Sequence, residues 1–153
     1  MLNQICAEIK NYFTYYDRDV HFGDYTIKDG VITPSIDFPT NYIRIVGSRK
    51  NDGVHVFDLE TGWGLVDEDK FHGAVWIMSP PADFLAMVSE IEAWQEKYGG
   101  VNSENMSPYQ SESFGGYSYS KSTGGSAVGS SSVPSWQSVY ASRLKQWRRI
   151  RVI

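Results

Sequence analysis

The sequence is short of three things: cysteine, long apolar stretches, and acidic residues in its C-terminal quarter. Cys6 is the only cysteine, which excludes an intramolecular disulfide and a multi-thiolate metal site and is compatible with a reducing compartment. No apolar run approaches the roughly 18 to 20 residues that span a bilayer, and the first ten residues contain a glutamate where a signal peptide needs an apolar stretch. We therefore expect a protein without membrane contact that is made and kept in the cytoplasm, with Cys6 as a core thiol.

The missing acids divide the chain by charge. All 18 acidic residues lie at or before Glu112 together with eight basic ones, so this stretch carries 8 − 18 = −10. From Ser113 onward there are six basic residues and no acid, hence +6: Lys121, Arg143, Lys145, Arg148, Arg149 and Arg151. Such a basic pole attracts an acidic protein, a neighbouring copy of the same chain, or nucleic acid; a simple solvated terminus is the alternative.

Catalytic signatures are also missing. The sequence has no GxSxG, Walker-type loop, dinucleotide fingerprint or HExxH, and its three histidines lack metal-ligand spacing. The run Asp67-Glu68-Asp69 lacks the alternation and the glycine of a calcium loop, so we expect it to be a solvated acidic turn. We accordingly predict a protein that is not an enzyme and that has no metal and no cofactor.

What is present predicts one folded body over residues 1–98, since 153 residues amount to about one domain and a tail. A short amphipathic helix is expected over residues 2–13, where apolar residues fall at helical spacing. These are Leu2, Ile5, Ile9 and Tyr12 or Phe13.

A β module is predicted over residues 20–78, from the runs DYTIK, GVIT, NYIRIV, GVHVF and AVWIM. Asp29-Gly30 and Asp52-Gly53 are typical hairpin turns, and the second should join an antiparallel pair of strands. Five short strands with tight turns indicate a small antiparallel β-barrel or a twisted sheet.

A second helix is predicted over residues 80–98. Ser79-Pro80-Pro81 is a helix-start signal, and Gly99-Gly100 is a typical helix end. The predicted fold class is therefore α+β, with amphipathic helices packed with an inserted β module.

Residues 99–135 are rich in Gly, Ser, Asn and Tyr, and this composition favours a flexible linker or arm. A plain spacer does not need the aromatic residues Phe114, Tyr117 and Tyr119, and the Tyr-Ser-Tyr-Ser alternation puts both tyrosines on one side of an extended segment. Two interpretations remain open: an arm that orders on a neighbouring subunit, and a spacer with incidental aromatics.

A basic amphipathic helix and tail are predicted over residues 136–153. Its apolar stripe falls at i, i+3, i+4, i+8 and i+11: Trp136, Val139, Tyr140, Leu144 and Trp147. This stripe must be buried on the protein's own body or on a partner, and either case holds the tail RRIRVI outward. Because Trp147 belongs to the stripe, it is not available for base stacking, and we do not expect direct DNA binding.

Two stretches of the chain carry a resemblance to a known family. NYIRIVGSRKNDGVHVF followed by DEDKFHGAVWIMSPP resembles a β module that leads into a long helix, and SPYQSESFGGYSYSK with WQSVYASRLKQWRRIRV is similar to an SES(F/I)G-Y-S arm and a final arginine-rich helix. Both are features of head-to-tail connector proteins (head-tail adaptors) of tailed bacteriophages and prophages of Gram-positive bacteria. The inserted β module distinguishes this chain from the simpler all-helical connectors.

The resemblance implies a virion structural protein at the head-tail junction, present in the host cytoplasm during assembly. Its partners would be the portal protein, neighbouring copies in a homo-oligomeric ring of about a dozen, and a tail or stopper protein. The expected interface residues lie in the arm and the last helix: Phe114, Tyr117, Tyr119, Trp136, Tyr140, Arg143, Trp147, Arg148, Arg149 and Arg151. A tail-completion or head-completion stopper protein and a small DNA-binding protein are the alternative functions.

Overall fold

A computed structural model describes residues 1–99, 111–114, 117–120 and 134–150, with the two short stretches described as backbone only. The fold is α+β, as the sequence predicts. The chain divides into two compact units, one of Leu2–Ala82 and one of Met1 with Asp83–Ile153. The first unit holds the β module, and the second groups the long helix with the C-terminal segment.

The described residues form four α-helices and seven β-strands. The helices are α1 Leu2–Ile9, α2 Ala82–Tyr98, α3 Trp136–Val139 and α4 Ala141–Lys145. The strands are β1 Val20–Lys28, β2 Val31–Thr33, β3 Tyr42–Val46, β4 Gly53–Val56, β5 Glu68–Ile77, β6 Ser111–Phe114 and β7 Tyr117–Ser120. A short 3-10 turn, Asp17–Asp19, precedes β1.

The β module is an open antiparallel sheet in the order β2-β1-β5-β3-β4. The two edge strands share no ladder, so of the two predicted forms the sheet is correct and the barrel is wrong. Closure would need a tilt and shear that bring the edges together, and strands of three and four residues supply few hydrogen bonds for such a seam.

The two predicted hairpin pairings are present. Asp29 and Gly30 have φ values of 51° and 75°, the left-handed pair that a two-residue turn between β1 and β2 requires. Strands β3 and β4 pair from Tyr42 opposite Val56 to Ile45 opposite Gly53.

One face of the sheet carries the core of the first unit. Its buried cluster consists of Tyr25, Ile27, Ile32, Ile43, Ile45, Phe71 and Val75. Partly buried Ile36, Phe38, Trp63 and Leu65 pack against it from the loops that follow β2 and β4. The alternation of apolar and polar residues along the strands therefore produces a face closed by loop side chains.

Helix α1 is shorter than predicted, because it ends at Ile9 rather than near residue 13. Lys10 takes a left-handed φ of 55°, and the amides of Lys10 and Asn11 donate to the carbonyls of Ala7 and Cys6. This is a Schellman-type end formed without glycine. Phe13 lies beyond the helix and is still buried.

Helix α2 begins two residues later than predicted, at Ala82. Pro81 disfavours helical geometry at Pro80, so the first helical residue follows the proline pair. Its buried residues recur at helical spacing: Phe84, Met87, Val88, Ile91, Trp94 and Tyr98.

The helix predicted within the segment 136–153 is divided, because the structure has two short helices in its place. Tyr140 separates them with φ −98° and ψ 8°, and the chain leaves helical geometry again after Lys145.

Most of the predicted linker over 99–135 lies outside the described residues. Its described part includes an antiparallel pair of strands, with Phe114 opposite Tyr117 and Glu112 opposite Tyr119.

The predicted solvated acidic turn at Asp67-Glu68-Asp69 is also wrong at its central residue. Glu68 opens β5, is 8 % exposed, and accepts hydrogen bonds from the Ser48 hydroxyl, the Arg49 amide (2.9 Å) and the Asn51 side chain (3.3 Å). Burial raises the pKa of its carboxyl, but these hydrogen bonds outweigh that effect and the net shift is downward. Glu68 therefore holds the segment of Ser48 to Asn51 against β5 through buried hydrogen bonds.

Candidate docking surfaces

The C-terminal segment is built from a capped helix, a break and a second helix. The Ser135 hydroxyl accepts a hydrogen bond from the Ser138 amide at 3.3 Å, which satisfies one of the open donors at the start of α3. The Leu144 amide still donates to the Tyr140 carbonyl at 2.8 Å across the break. The segment therefore keeps its apolar side chains nearly in helical register.

The apolar stripe of this segment is buried within the single chain. Trp136, Val139, Tyr140 and Leu144 are all at most 8 % exposed. Trp147 is partly buried and packs edge-on against Phe84 of α2, with 5.5 Å between the ring centroids. The sequence left open whether the stripe is covered by the protein or by a partner. In this conformation Trp136 and Tyr140 cannot offer a surface to a partner.

Arg143 connects this segment to α2 through Glu90. Its two terminal nitrogens donate to the two carboxylate oxygens at 2.6 and 3.1 Å, a bidentate pair. The hydrogen bond from Arg143 lowers the pKa of Glu90, and the same bond raises the pKa of Arg143. Burial, and then the Glu90 charge, raise the pKa of Tyr140 to about 12. Arg143, predicted as an interface residue, thus already has an acidic partner in its own chain.

The end of the segment is exposed and basic. Lys145, Arg148 and Arg149 are exposed, and Ile150 is 85 % exposed. Arg151 lies outside the described residues, and only the backbone is described at Phe114, Tyr117 and Tyr119. Of the predicted interface residues, the structure therefore brings Trp136, Tyr140, Arg143 and Trp147 into one folded unit and leaves Arg148 and Arg149 at its surface.

A groove of about 350 Å³ lies between α2 and the end of the C-terminal segment. Its walls are Asp83, Met87, Arg143, Gln146 and Trp147. Met87 is only 2 % exposed, so the accessible apolar surface of the groove comes from the partly buried Trp147, and Arg143 beside it is paired with Glu90.

A second exposed feature is a turn that the sequence analysis did not single out, residues 58–62. The amides of Asp58 and Gly62 each donate to the other's carbonyl at 2.8 Å. The Asp58 carboxylate also accepts from the Glu60 amide at 2.8 Å and from the Thr61 amide at 3.0 Å, and these bonds lower its pKa. Leu59 lies at the tip and is 95 % exposed.

The base of this turn is attached to the core of the first unit. Trp63 makes edge-on contacts with Phe57 and Phe38, each with 5.2 Å between ring centroids, and both Phe38 and Trp63 pack on the buried cluster of the sheet. The residue types of the turn were visible in the sequence, because aspartate accepts hydrogen bonds from backbone amides two residues on and glycine takes the positive φ that Gly62 adopts, 66°. The exposure of Leu59 could not be read from it.

Tyr12, Arg44 and Trp76 form a third cluster, on the sheet face opposite the core cluster. The Arg44 guanidinium lies 3.7 Å from the Tyr12 ring centroid and 4.5 Å from that of Trp76. Arg44 Nε and Trp76 Nε1 are buried with no hydrogen-bond partner, which fits a stacked cation whose donors face rings and are closed to a ligand. This cluster stabilises the sheet.

Comparisons with protein-family models, with curated proteins and with solved structures found no match. Among the described residues, no group of three or more His, Cys, Asp or Glu side chains is placed to hold a metal ion. Nor does the described part of the chain contain a helix long and apolar enough to cross a membrane.

Proposed function

We propose that this chain is a structural protein of a tailed phage or prophage that joins the capsid portal to the tail as part of a head-tail connector ring. Support comes from the resemblance of its two sequence stretches to such connectors and from the charge division between −10 and +6. The exposed end of the C-terminal segment, Lys145 with Arg148 and Arg149, is the docking element for an acidic partner surface.

The observation that carries the proposal is the way this basic end is presented. The buried stripe from Trp136 to Leu144 anchors the segment, while Arg148, Arg149 and Ile150 are exposed. An anchored cationic end loses less conformational freedom on docking than a loose tail does, so more of its interaction energy is kept as affinity. The Arg143–Glu90 pair is an example, inside one chain, of the arginine–carboxylate contact that this end would make with a partner.

The proposal is tested by deleting the residues from Arg148 onward while the rest of the chain stays folded. A stop codon at Arg148 leaves the buried stripe intact, whereas a stop at Trp136 would delete it. Electron microscopy of particles released from an induced host with the Arg148 stop should show separate heads and free tails. Filled heads would indicate a tail-completion role, because the channel is then still closed, and emptied heads would indicate a connector or a stopper.

Charge reversal provides the matched control. The double substitution Arg148→Glu and Arg149→Glu should reproduce the joining defect, because it places acids where the partner's acids are expected. Lys10→Glu with Lys28→Glu makes the same change in net charge at exposed positions of the β-module unit and should leave particles intact. Normal infectious virions from the Arg148 stop would overturn the proposed function.

A further inference from the structure

The sequence contains two Asp-Gly pairs, Asp29-Gly30 and Asp52-Gly53, and the structure places them in different surroundings. In such a pair the glycine amide can attack the aspartate side chain, because glycine has no side chain of its own to block the approach. The attack requires an accessible carboxyl group, an available glycine amide and a backbone that can open locally. The two pairs differ in all three respects.

The two aspartate carboxyl groups differ in their hydrogen bonds. Asp52 Oδ2 accepts a bond from the Gly47 amide at 2.8 Å, so this carboxyl group is engaged within its own loop. Asp29 is exposed, and its carboxyl group accepts no hydrogen bond from the part of the chain that the structure describes. The bond from the Asp29 amide to Asp67 Oδ1, 2.7 Å long, uses neither of the reacting groups. Of the two carboxyl groups, that of Asp29 is the one available to react.

The two glycines differ in burial. Gly53 is buried at the start of β4, opposite Ile45 of β3, and a Cβ atom at this position would lie 3.6 Å from the Asn3 side chain. Gly30 is partly exposed with φ 75°, and a Cβ atom there would meet nothing within 4 Å. The Gly30 amide makes no hydrogen bond with any described residue. Space and an unbonded amide are thus combined at Gly30.

The two backbones differ in how firmly they are held. Loop 47–53 is fastened by buried polar side chains, those of Ser48, Asn51 and Glu68. The Asp29-Gly30 turn instead leads into β2, an edge strand with three residues in its ladder. Asp29 has a left-handed φ of 51°, which is less favourable for aspartate than for glycine. The short ladder and the unfavourable φ both make this turn easier to open.

We propose that Asp29 is a site of spontaneous isoaspartate formation and that the fold protects Asp52 from the same reaction. The Gly30 nitrogen attacks Cγ of the protonated Asp29 carboxyl group, a C–N bond forms, and the carboxyl hydroxyl leaves with the amide proton as water. Water then opens the cyclic succinimide. Attack at the Cγ carbonyl restores aspartate, and attack at the backbone carbonyl gives isoaspartate, in which the chain runs through Cβ and Cγ. Water is the only co-reactant, and the composition of the chain is unchanged.

Isoaspartate at this position loosens the hairpin of β1 and β2. It adds a carbon atom to the backbone of a two-residue turn, and such a turn sets the register of the strands that it joins. Strand β2 carries Ile32, which is 5 % exposed and belongs to the core cluster of the sheet. The modification therefore acts on the first unit of the fold, and it does not depend on the proposed joining function.

Oxygen labelling measures how often each aspartate passes through the succinimide. The natural chain is incubated at mildly acidic pH in water enriched in heavy oxygen, with and without urea, and is then digested in ordinary water. Each opening of the ring adds one heavy oxygen, which peptide fragmentation in a mass spectrometer assigns to a residue. In the folded chain Asp29 should gain label at least about tenfold faster than Asp52, which reacts only through local opening. In urea the two rates should agree within about threefold, because the protection of Asp52 is then lost.

Asp29→Glu is the matched control, since it keeps the charge while its longer side chain closes the corresponding ring far more slowly. Incubation of the natural chain should speed hydrogen exchange in β2 and leave β4 unchanged, and the variant should show no such change. Three outcomes would overturn the proposal: Asp29 labelled no faster than Asp52 in the folded chain, a difference of the same size in urea, or label at Asp29 without isoaspartate.

Discussion

At the scale of the residue, the pair Glu90–Arg143 is a test of how the C-terminal segment is held. Both side chains are partly exposed, 49 % and 37 %, so Glu90→Gln should lower the free energy of unfolding by no more than about 1 kcal/mol at neutral pH. The pKa of Glu90 is lowered from its ordinary 4.5. Its stabilisation is therefore present above that value and is lost as the pH falls through the folded-state pKa.

Urea unfolding of the natural chain and of Glu90→Gln at pH 7 and at pH 3 measures this effect. The two proteins should differ at pH 7, and the difference should be smaller at pH 3. A difference that stays constant with pH would show that the glutamine substitution acts through packing.

Glu68 should matter more than Glu90, because it is buried and accepts several hydrogen bonds. Glu68→Gln keeps the shape but replaces one acceptor oxygen by an NH2 donor, which then faces groups that now donate to the carboxylate. We expect a loss of about 1–3 kcal/mol in the free energy of unfolding, from thermal or urea denaturation. Since the net pKa shift of Glu68 is downward, its contribution also declines as the pH falls through its folded-state pKa.

The neighbouring residue provides the control for Glu68. Asp69→Asn alters an exposed carboxylate of the same acidic run and should change the free energy of unfolding by less than about 0.5 kcal/mol. Equal losses of unfolding free energy from Glu68→Gln and Asp69→Asn would contradict a structural role of Glu68 and favour the solvated acidic turn that the sequence predicts.

At the scale of the element, the C-terminal segment should be stabilised by its buried stripe and not by its basic end. Leu144→Ala removes a side chain that is 2 % exposed and should cost about 2–5 kcal/mol. Truncation at Arg148 should cost less than about 1 kcal/mol, since the residues it removes from the described part of the chain are exposed. Hydrogen exchange at the Leu144 amide, bonded to Tyr140, would report both.

The elements also show how far sequence patterns go. The end of α2 before Gly99 and the Asp29-Gly30 turn are local signals, and the structure confirms both. The end of α1 was missed because Lys10 adopts a left-handed conformation for which no glycine or asparagine gives warning. The break at Tyr140 was missed because a stripe at helical spacing looks the same whether or not the helix is continuous.

The candidate surfaces were predictable only in part. Residue type and spacing identified the basic end and the apolar stripe, but not which residues of the stripe are buried. The Glu90 partner of Arg143 is 53 residues away in sequence, and a pairing of that range leaves no local pattern. Leu59 was missed for the converse reason, since an isolated leucine in a polar run gives no sign of its exposure.

At the scale of the whole molecule, the charge division predicts how the chain meets nucleic acid. The peptide of residues 134–153 carries five basic residues and no acid, whereas the full chain carries −4. At about 50 mM salt the peptide should bind duplex DNA more tightly than the full chain does, because the acidic remainder repels phosphate. Fluorescence anisotropy at about 50 and 200 mM salt measures both affinities.

The salt series also separates the functional interpretations. The affinity of the peptide should fall steeply with salt. The slope of the logarithm of affinity against the logarithm of salt concentration should correspond to at most about five phosphate contacts, one for each basic residue. If the full chain binds duplex DNA as tightly as the peptide, the acidic remainder does not screen the basic end. The small DNA-binding protein would then be favoured over a docking role.

The short edges of the open sheet have a consequence for crowding. Strands β2 and β4 expose backbone groups over only three and four residues. Long flat edges template strand addition and lead to aggregation, and short ones resist it. Many copies of this chain could therefore be held side by side without forming backbone hydrogen bonds between their edge strands. Recognition between copies then depends on side chains.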